Sequence, residues 1–299
     1  MLCGKVAVWR LNRGWRGMIF LLFSIACSVS IAHVFKYAEQ KMVPTFALLA
    51  INYLVGSIVA FVGCDAAFAR VLSAPLLGLG SLLGGLFVLC YILMVLTIKH
   101  LGVTIPVSLM RLSAVLPTFG SIMFFAEVPR LIQLVGIVLA FLSLPLASKH
   151  RLRVTNLLRV LHNGFGWGLM LFGAFGVTNF LFKIQREVFP LENPYHFLAI
   201  IFSTAFLVSS LMVWRQGVPF SRQVIGMGAV LGVLNLFSGY FFMKALQGLP
   251  GMVVYPINGI GIILVSAITS MVLWKERLTR NNYVFILLAS CALLLIYPR

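Results

Sequence analysis

Hydrophobic residues fill long stretches of this chain, and polar residues are largely confined to the short segments between them. Each stretch is about 20 residues long, the length that an α-helix needs to cross a hydrocarbon core of roughly 30 Å. Proline, glycine and charged residues mark the ends of the stretches. The pattern predicts ten membrane-spanning helices, at positions 17–36, 43–63, 74–97, 103–125, 131–148, 164–183, 195–214, 222–245, 252–273 and 281–298.

The composition agrees with this pattern. Of 299 residues, 61% are hydrophobic and 10% are charged, and the mean hydropathy is +1.06. Soluble domains carry about 25% charged residues, and a soluble fold of this composition would expose apolar patches that promote aggregation. The chain is therefore expected to be an all-α, multi-pass membrane protein.

The chain is strongly basic, with 23 Lys and Arg residues against six Asp and Glu residues and a net charge of +17. On a soluble protein this excess would suggest nucleic-acid binding. Here most basic residues lie between apolar stretches, where they meet anionic lipid headgroups and help to set the orientation of the helices. Membrane lipids, and not nucleic acids, are the expected partners.

Motifs that carry catalytic chemistry are absent from the sequence. The five cysteines show no CxxC spacing and are typical of small packing residues. The sequence contains no phosphate-binding P-loop, no HExxH and no GxSxG motif, so ATP hydrolysis and the common hydrolase chemistries lack support. The sequence predicts a protein without enzymatic activity, cofactor or metal site.

The two halves of the chain carry matching residues at a nearly constant offset. The glycine-rich segment 78–84 corresponds to 226–232, an offset of 148 residues. An ordered series whose offset changes by one residue at a time is what single insertions into a duplicated sequence produce. Further pairs follow at offsets of 147 to 149: Phe35 and Phe182, Lys36 and Lys183, Tyr91 and Tyr240, Met94 and Met243, Gly102 and Gly251, and Glu127 and Glu276.

The duplication predicts the organisation of the chain. A basic tail (1–16) precedes a first five-helix repeat (17–148), and a basic linker (149–163) leads to a second five-helix repeat (164–299). An odd number of helices per repeat places the two halves in opposite membrane orientations. Inverted repeats of this kind characterise secondary transporters, which hold their substrate between the halves.

Short motifs at matching places resemble a known family. The sequence W-K-E-R-L at 274–278 and its counterpart F-A-E-V-P at 125–129 end the fourth helix of each half. With F-K-Y at 35–37, N-Y at 52–53 and Y-P-I-N at 255–258, they make residues 17–298 similar to the EamA-like branch of the drug/metabolite transporter superfamily. The resemblance implies ten helices in two inverted repeats, cytoplasmic termini, a bacterial inner membrane, and transport of amino acids, sugars, nucleotide sugars or other metabolites.

Arg111 lies about seven residues into the fourth predicted span, roughly 10 Å below the membrane surface at 1.5 Å per residue. A charge at this depth costs about 2.5–3.5 kcal/mol on insertion scales and persists mainly where it faces a cavity or a partner. The guanidinium is a planar fork that binds a carboxylate or phosphate through two hydrogen bonds. Arg111 is therefore predicted to bind an anionic group of a substrate. The alternatives are a side chain that extends to the headgroups and a structural pair with backbone carbonyls.

Lys36 and Lys183 occupy corresponding positions near the end of the first helix of each half. Their symmetry predicts that both take part in substrate binding, one on either side of a central site. The alternative is that each lysine marks the membrane boundary, where basic residues are common.

Three asparagines, Asn52, Asn235 and Asn258, lie inside apolar stretches. Amides in such places usually hydrogen-bond across helices, so packing is one interpretation and substrate binding is the other. Asn258 is the stronger candidate for binding, because Pro256 and the glycines that follow Asn258 are expected to loosen the ninth helix. Interrupted helices expose backbone dipoles where transporters hold their substrates.

The basic residues Lys36, Arg111 and Lys183 would give a central cavity a positive lining. Such a lining favours a secondary transporter that moves a small anionic or zwitterionic metabolite, an amino acid or organic acid, by alternating access. Two other functions stay open: a flippase for a lipid-linked sugar or phospholipid, and a non-transporting assembly or sensor subunit. The chain is expected to act as a monomer or a homodimer.

Overall fold

The computed structural model describes residues 2–66, 68–101, 104–147, 165–190, 193–275 and 280–297. Every regular element in these ranges is helical. A helix satisfies its backbone hydrogen bonds within one segment, which is why apolar stretches without water to bond to take this form.

Twelve α-helices occur in the described ranges. They are numbered here in chain order, and a short 3₁₀ turn, Leu144–Ala147, follows the seventh. Their bounds are α1 Leu2–Gln40, α2 Thr45–Val62, α3 Phe68–Val71, α4 Ala74–Leu101, α5 Thr104–Leu112, α6 Val115–Phe124, α7 Leu131–Ser143, α8 Phe165–Val188, α9 Pro194–Gln216, α10 Arg222–Gly248, α11 Gly251–Trp274 and α12 Arg280–Ile296.

Eight segments of the described chain are long and apolar enough to cross a membrane, and two shorter apolar helices are α7 and α12. This confirms a multi-pass, all-helical membrane protein. The eight segments are Gly14–Gln40, Thr45–Val62, Ala74–Leu101, Ile105–Phe124, Gly166–Val188, Pro194–Gln216, Arg222–Gly248 and Gly251–Trp274.

The fourth predicted span is divided into two helices, α5 and α6, by a turn at Ser113 and Ala114. Pro117 has no backbone N–H to donate to the Ser113 carbonyl, which accepts instead from the Leu116 amide at 3.0 Å. The Ser113 hydroxyl donates to the Met110 carbonyl at 2.7 Å. The ninth span, in contrast, runs through Pro256 as the continuous helix α11. The loosening expected from Pro256 in the ninth helix is therefore not observed. The fourth helix, in which Pro106 and Pro117 predict a similar loosening, is interrupted.

Contacts between Cα atoms divide the chain into two compact units. The first unit comprises Met1–Gly14, Leu89–Lys183 and Leu249–Arg299, and the second comprises Trp15–Val88 and Ile184–Gly248. Each unit takes segments from both predicted repeats. The division into 17–148 and 164–299 is thus a prediction about sequence ancestry and symmetry, and it differs from the division into compact units.

Glycines allow the helices of the second unit to pack closely. A Cβ at Gly84 would meet the Ile201 carbonyl at 2.5 Å, and one at Gly232 would meet the Asn52 carbonyl at 2.6 Å. Both partners are backbone atoms, which cannot move aside as a flexible side chain can. The repeat-related glycines thus serve helix packing, as small residues do in membrane proteins.

In the first unit, α8 packs on α6 and α12 packs on α7. A Cβ at Gly120 would meet the Phe180 ring at 2.5 Å, and one at Gly136 would meet Ile296 at 2.8 Å. These contacts place the end of α8 beside the segment that follows α6, where the candidate site begins.

Several predicted features lie outside the described residues. They are the basic linker 149–163, Gly102, and the residues Glu276, Arg277 and Leu278 of the second acidic motif. What the sequence predicts for these residues therefore remains a prediction.

Candidate functional site

A buried ion pair joins α8 to the segment between α6 and α7. The Lys183 ammonium lies 2.6 Å from Oε1 of Glu127, and their side chains are 4% and 12% exposed. Ala126, with a φ of 52°, turns the chain just before Glu127, and the Glu127 amide donates to the Ser121 carbonyl at 3.4 Å. The turn directs the carboxylate back into the unit, where it neutralises the lysine.

The same carboxylate caps the first turn of α11. The Gly251 amide donates to Oε1 of Glu127 and the Met252 amide donates to Oε2, both at 2.8 Å. Pro250 precedes them and makes no side-chain cap, so these first-turn N–H groups have no local acceptor. A carboxylate at this position also opposes the positive end of the helix dipole.

We call Glu127, Lys183 and the amides of Gly251 and Met252 the Glu127 clasp. The Phe125 ring flanks it, with its centroid 5.3 Å from the Lys183 ammonium. A Cβ on Gly251 would overlap the Ser121 hydroxyl, so the close approach of α11 requires glycine there. In these apolar surroundings the attraction between the two charges is stronger than it would be in water.

Arg111 lies in the last turn of α5, directly before the interruption at Ser113 and Ala114. Its side chain is partly buried and belongs to the candidate span Ile105–Phe124. No described carboxylate forms an ion pair with it, whereas Lys183 is neutralised by Glu127. The two basic residues predicted to bind substrate in this unit thus have different environments.

Asn258 lies in the part of α11 that faces this interruption. A Cβ at Gly251 would meet Ser121, and one at Gly259 would lie 4.0 Å from the Ala114 Cβ, so α6 and α11 run antiparallel. Asn258 is seven residues beyond Gly251, hence on nearly the same face of the helix and about 10 Å further along it. That register places Asn258 at the level of Ala114.

The carbonyl oxygen of the Asn258 side chain is buried, and no hydrogen-bond donor reaches it within the described part of the chain. Buried polar groups in native proteins nearly always have a partner. This orphaned acceptor therefore needs an explanation, and it lies beside the interruption that follows Arg111.

Asn52 and Asn235 contact each other in the second unit. The Asn235 amide donates to the Asn52 side-chain oxygen at 3.3 Å, between α2 and α10, and Asn52 is 2% exposed. This pairing favours the packing interpretation for both residues. Lys36, the last of the six predicted residues, lies partly buried on α1, also in the second unit.

One polar pair escaped the sequence prediction. His196, in the first turn of α9, is buried, and its Nε2 lies 3.1 Å from Oδ1 of Asp65, which is 58% exposed. The Phe68 ring packs at 5.2 Å from the imidazole. The pair anchors the start of α9 to the segment after α2, and the separation of 131 residues gives no local sequence signal.

The capping role of Glu127 was also missed, because the sequence indicated only that Glu127 corresponds to Glu276. The sequence does contain a signal that the start of α11 needs a cap from elsewhere. Pro250 begins an apolar helix without a side chain that can cap it, and a helix start in an apolar environment needs an acceptor from elsewhere.

Comparisons with known proteins bear on the fold. No family model matches the chain. An uncharacterized protein of Haemophilus influenzae is 28% identical over 299 residues, which covers 93% of this chain and 97% of that protein. A crystal structure with 14% sequence identity covers 93% of this chain and 95% of the solved one with a TM-score of 0.74. The helical arrangement is therefore shared with an experimentally determined fold.

Proposed function

We propose that this protein is a secondary transporter for a small anionic or zwitterionic metabolite, and that Arg111 binds the anionic group. The observation that carries the proposal is a charged side chain within a membrane-spanning segment, at a helix interruption, without a described carboxylate partner. An intramembrane charge is costly and is kept mainly where it faces a cavity or a partner. A substrate carboxylate supplies that partner.

The interruption between α5 and α6 suits this role. The guanidinium of Arg111 offers paired donors to a carboxylate or phosphate, and the amino end of α6 adds a positive dipole end close by. Discontinuous helices serve the same purpose at the substrate sites of known transporters. Lys183 does not add to the anion site, because Glu127 neutralises it.

The transport mechanism that we propose is alternating access in a bacterial inner membrane. The ordered series of matching residues supports two inverted repeats of five helices, which resemble the EamA-like transporters. Repeats of this kind move against each other and open the site first to one side of the membrane and then to the other. An assembly or sensor subunit would instead need Arg111 to be neutralised internally, and the described ion pairs do not include one to it.

Substitution of Arg111 tests the proposal. In proteoliposomes loaded with a mixture of amino acids and organic acids, we expect exchange of radiolabelled substrate by the native protein. Arg111→Leu abolishes exchange, because the anion loses its ligand, while the melting temperature stays unchanged or rises. Arg111→Lys keeps partial activity, because the charge remains and the planar fork is lost.

The matched control is Arg215→Leu, which removes an exposed arginine near the end of α9 and is expected to leave exchange intact. Unimpaired exchange by Arg111→Leu contradicts the role of Arg111. Scrambling of a fluorescent phospholipid by the native protein, without metabolite exchange, would favour the flippase instead.

A further inference from the structure

The Glu127 clasp contains the components of an anion-binding site. Lys183 supplies a buried positive charge, and the amides of Gly251 and Met252 supply two donors from the first turn of α11. The ammonium lies 2.6 Å from a carboxylate oxygen, and both amides donate at 2.8 Å. A cation beside the amides of a helix start is an arrangement with which proteins bind carboxylates and phosphates.

The Ser121 hydroxyl is a further polar group at the same place. It is fully buried, and it makes no hydrogen bond with any described group. A Cβ on Gly251 would overlap it, so the hydroxyl lies against the start of α11. Buried polar groups nearly always have a partner. The place therefore offers more hydrogen-bonding capacity than Glu127 uses.

The carboxylate of Glu127 enters this place from a surface turn. The turn follows the candidate span Ile105–Phe124, and its residues Ala126, Val128 and Arg130 are exposed. The Glu127 side chain itself is 12% exposed, and all the groups named belong to the first unit. Without the Glu127 carboxylate, the donors would therefore lie within reach of a small solute.

We infer that these donors form a second anion-binding site, for a small carboxylate, and that Glu127 occupies it as a tethered ligand. The site consists of the Lys183 ammonium, the amides of Gly251 and Met252, and the Ser121 hydroxyl. A tether gives the carboxylate a high effective concentration, so the native protein keeps free anions out. The inference goes beyond the proposed function and does not depend on it, because Arg111 is not part of this site.

Replacement of the tethered ligand by a free one tests the site. Glu127→Ala removes two carbon and two oxygen atoms, and acetate consists of the same heavy atoms. We expect the melting temperature of this variant to rise saturably with sodium acetate. At acetate about tenfold above its Kd, mass action restores roughly a third to a half of the stability that the substitution removes.

The size of the vacated space predicts a preference among acids. Propionate has one carbon too many for the Glu127→Ala variant and should bind about tenfold more weakly than acetate. Glu127→Gly vacates one further carbon, so its preference should shift to propionate. Both variants are purified with the matching acid present, because each is expected to be destabilised without it.

Three controls separate the site from a general effect of salt. Glu127→Gln leaves an amide in the place of the carboxylate, so acetate should not stabilise it. The double variant Glu127→Ala, Lys183→Met lacks the cation and should lose the response to acetate. Native protein, whose site is occupied, should respond to acetate no more than to sodium chloride of equal concentration.

Several results would overturn the inference. They are an equal rise of the melting temperature with and without Lys183, an equal rise with acetate and chloride, and a Glu127→Ala variant that does not distinguish acetate from propionate. Failure of both Glu127→Ala and Glu127→Gly to fold with their matching acids present also overturns it. None of these results bears on Arg111, whose exchange experiment tests the proposed function separately.

Discussion

At the scale of single residues, the structure assigns different roles to charged side chains that look alike in the sequence. Lys183 and Arg111 are both basic residues in apolar stretches, but Lys183 has a carboxylate 2.6 Å away. Breaking a buried ion pair by removing one partner is costly, because the other charge stays buried and unpaired. The Glu127 clasp is therefore expected to contribute to stability, and Arg111 to binding.

Glu127→Gln tests the clasp. The amide removes the negative charge beside Lys183 and retains only one acceptor oxygen for the amides of Gly251 and Met252. We expect a loss of about 3–5 kcal/mol in the free energy of unfolding, measured by thermal or denaturant unfolding of the purified protein. The double variant Glu127→Gln, Lys183→Met should recover part of this loss, because no buried charge is then left unpaired.

Glu39→Gln serves as the control, because Glu39 is an exposed carboxylate near the end of α1. Surface substitutions of this kind change stability by less than about 0.5 kcal/mol. If Glu127→Gln lowers the free energy of unfolding no more than Glu39→Gln does, the clasp does not stabilise the fold.

At the scale of helices, proline alone does not decide where a span is interrupted. Pro117 lies in the second position after the α6 start at Val115, and the turn precedes it at Ser113 and Ala114. Pro256 lies within the second turn of α11 and leaves that helix continuous. A proline removes one backbone hydrogen bond in either place, so the surrounding packing determines whether the helix separates.

The start of α11 depends on the absence of a side chain at Gly251. Gly251→Ala should lower the melting temperature, because the added methyl group overlaps the Ser121 hydroxyl and displaces the amides from Glu127. The second substitution Ser121→Gly should restore stability in part, because it removes the atoms that the methyl group meets. The melting temperatures of the single and double variants test whether the close approach of Gly251 to Ser121 requires glycine.

Gly173→Ala is the matched control in the same unit, since a Cβ there would meet no atom within 4 Å. Alanine favours a helix over glycine by roughly 0.5–1 kcal/mol, so this variant is expected to melt at the same or a higher temperature. A melting temperature of Gly251→Ala equal to that of Gly173→Ala would exclude the steric requirement.

At the scale of the whole molecule, the repeat hypothesis assigns Glu276 the position that corresponds to Glu127. Glu276 lies outside the described residues, so the hypothesis is open to a test that does not depend on its coordinates. If the two halves are functional repeats, Glu276→Gln destabilises the protein about as much as Glu127→Gln does. Denaturant unfolding of both variants, side by side with Glu39→Gln, provides the comparison.

A Glu276→Gln variant that unfolds like the native protein would show that the two acidic motifs have different roles. The duplication would then be visible in the sequence, but the acidic residues of the two repeats would not make equivalent stabilising contacts.

The sequence by itself determined the class of the protein and the places of its helices. The ten predicted spans overlap helices in the described ranges, where eight segments are long enough to cross a membrane and the fourth predicted span is divided into two helices. Apart from the start of α1 at Leu2, the helix ends fall close to the predicted ones. This is possible because partition into lipid depends on the local density of apolar residues, and a helix closes its hydrogen bonds within one segment. Neither property requires knowledge of distant residues.

Only the tertiary structure decided which polar groups meet. Glu127 and Lys183 are 56 residues apart, and Asn52 and Asn235 are 183 residues apart. A polar residue in an apolar stretch must find a partner, but its own neighbourhood does not say which residue that is. The partner depends on how the helices pack. Packing places Glu127 beside Lys183, whereas it leaves the side-chain oxygen of Asn258 without a hydrogen-bond donor in the described part of the chain.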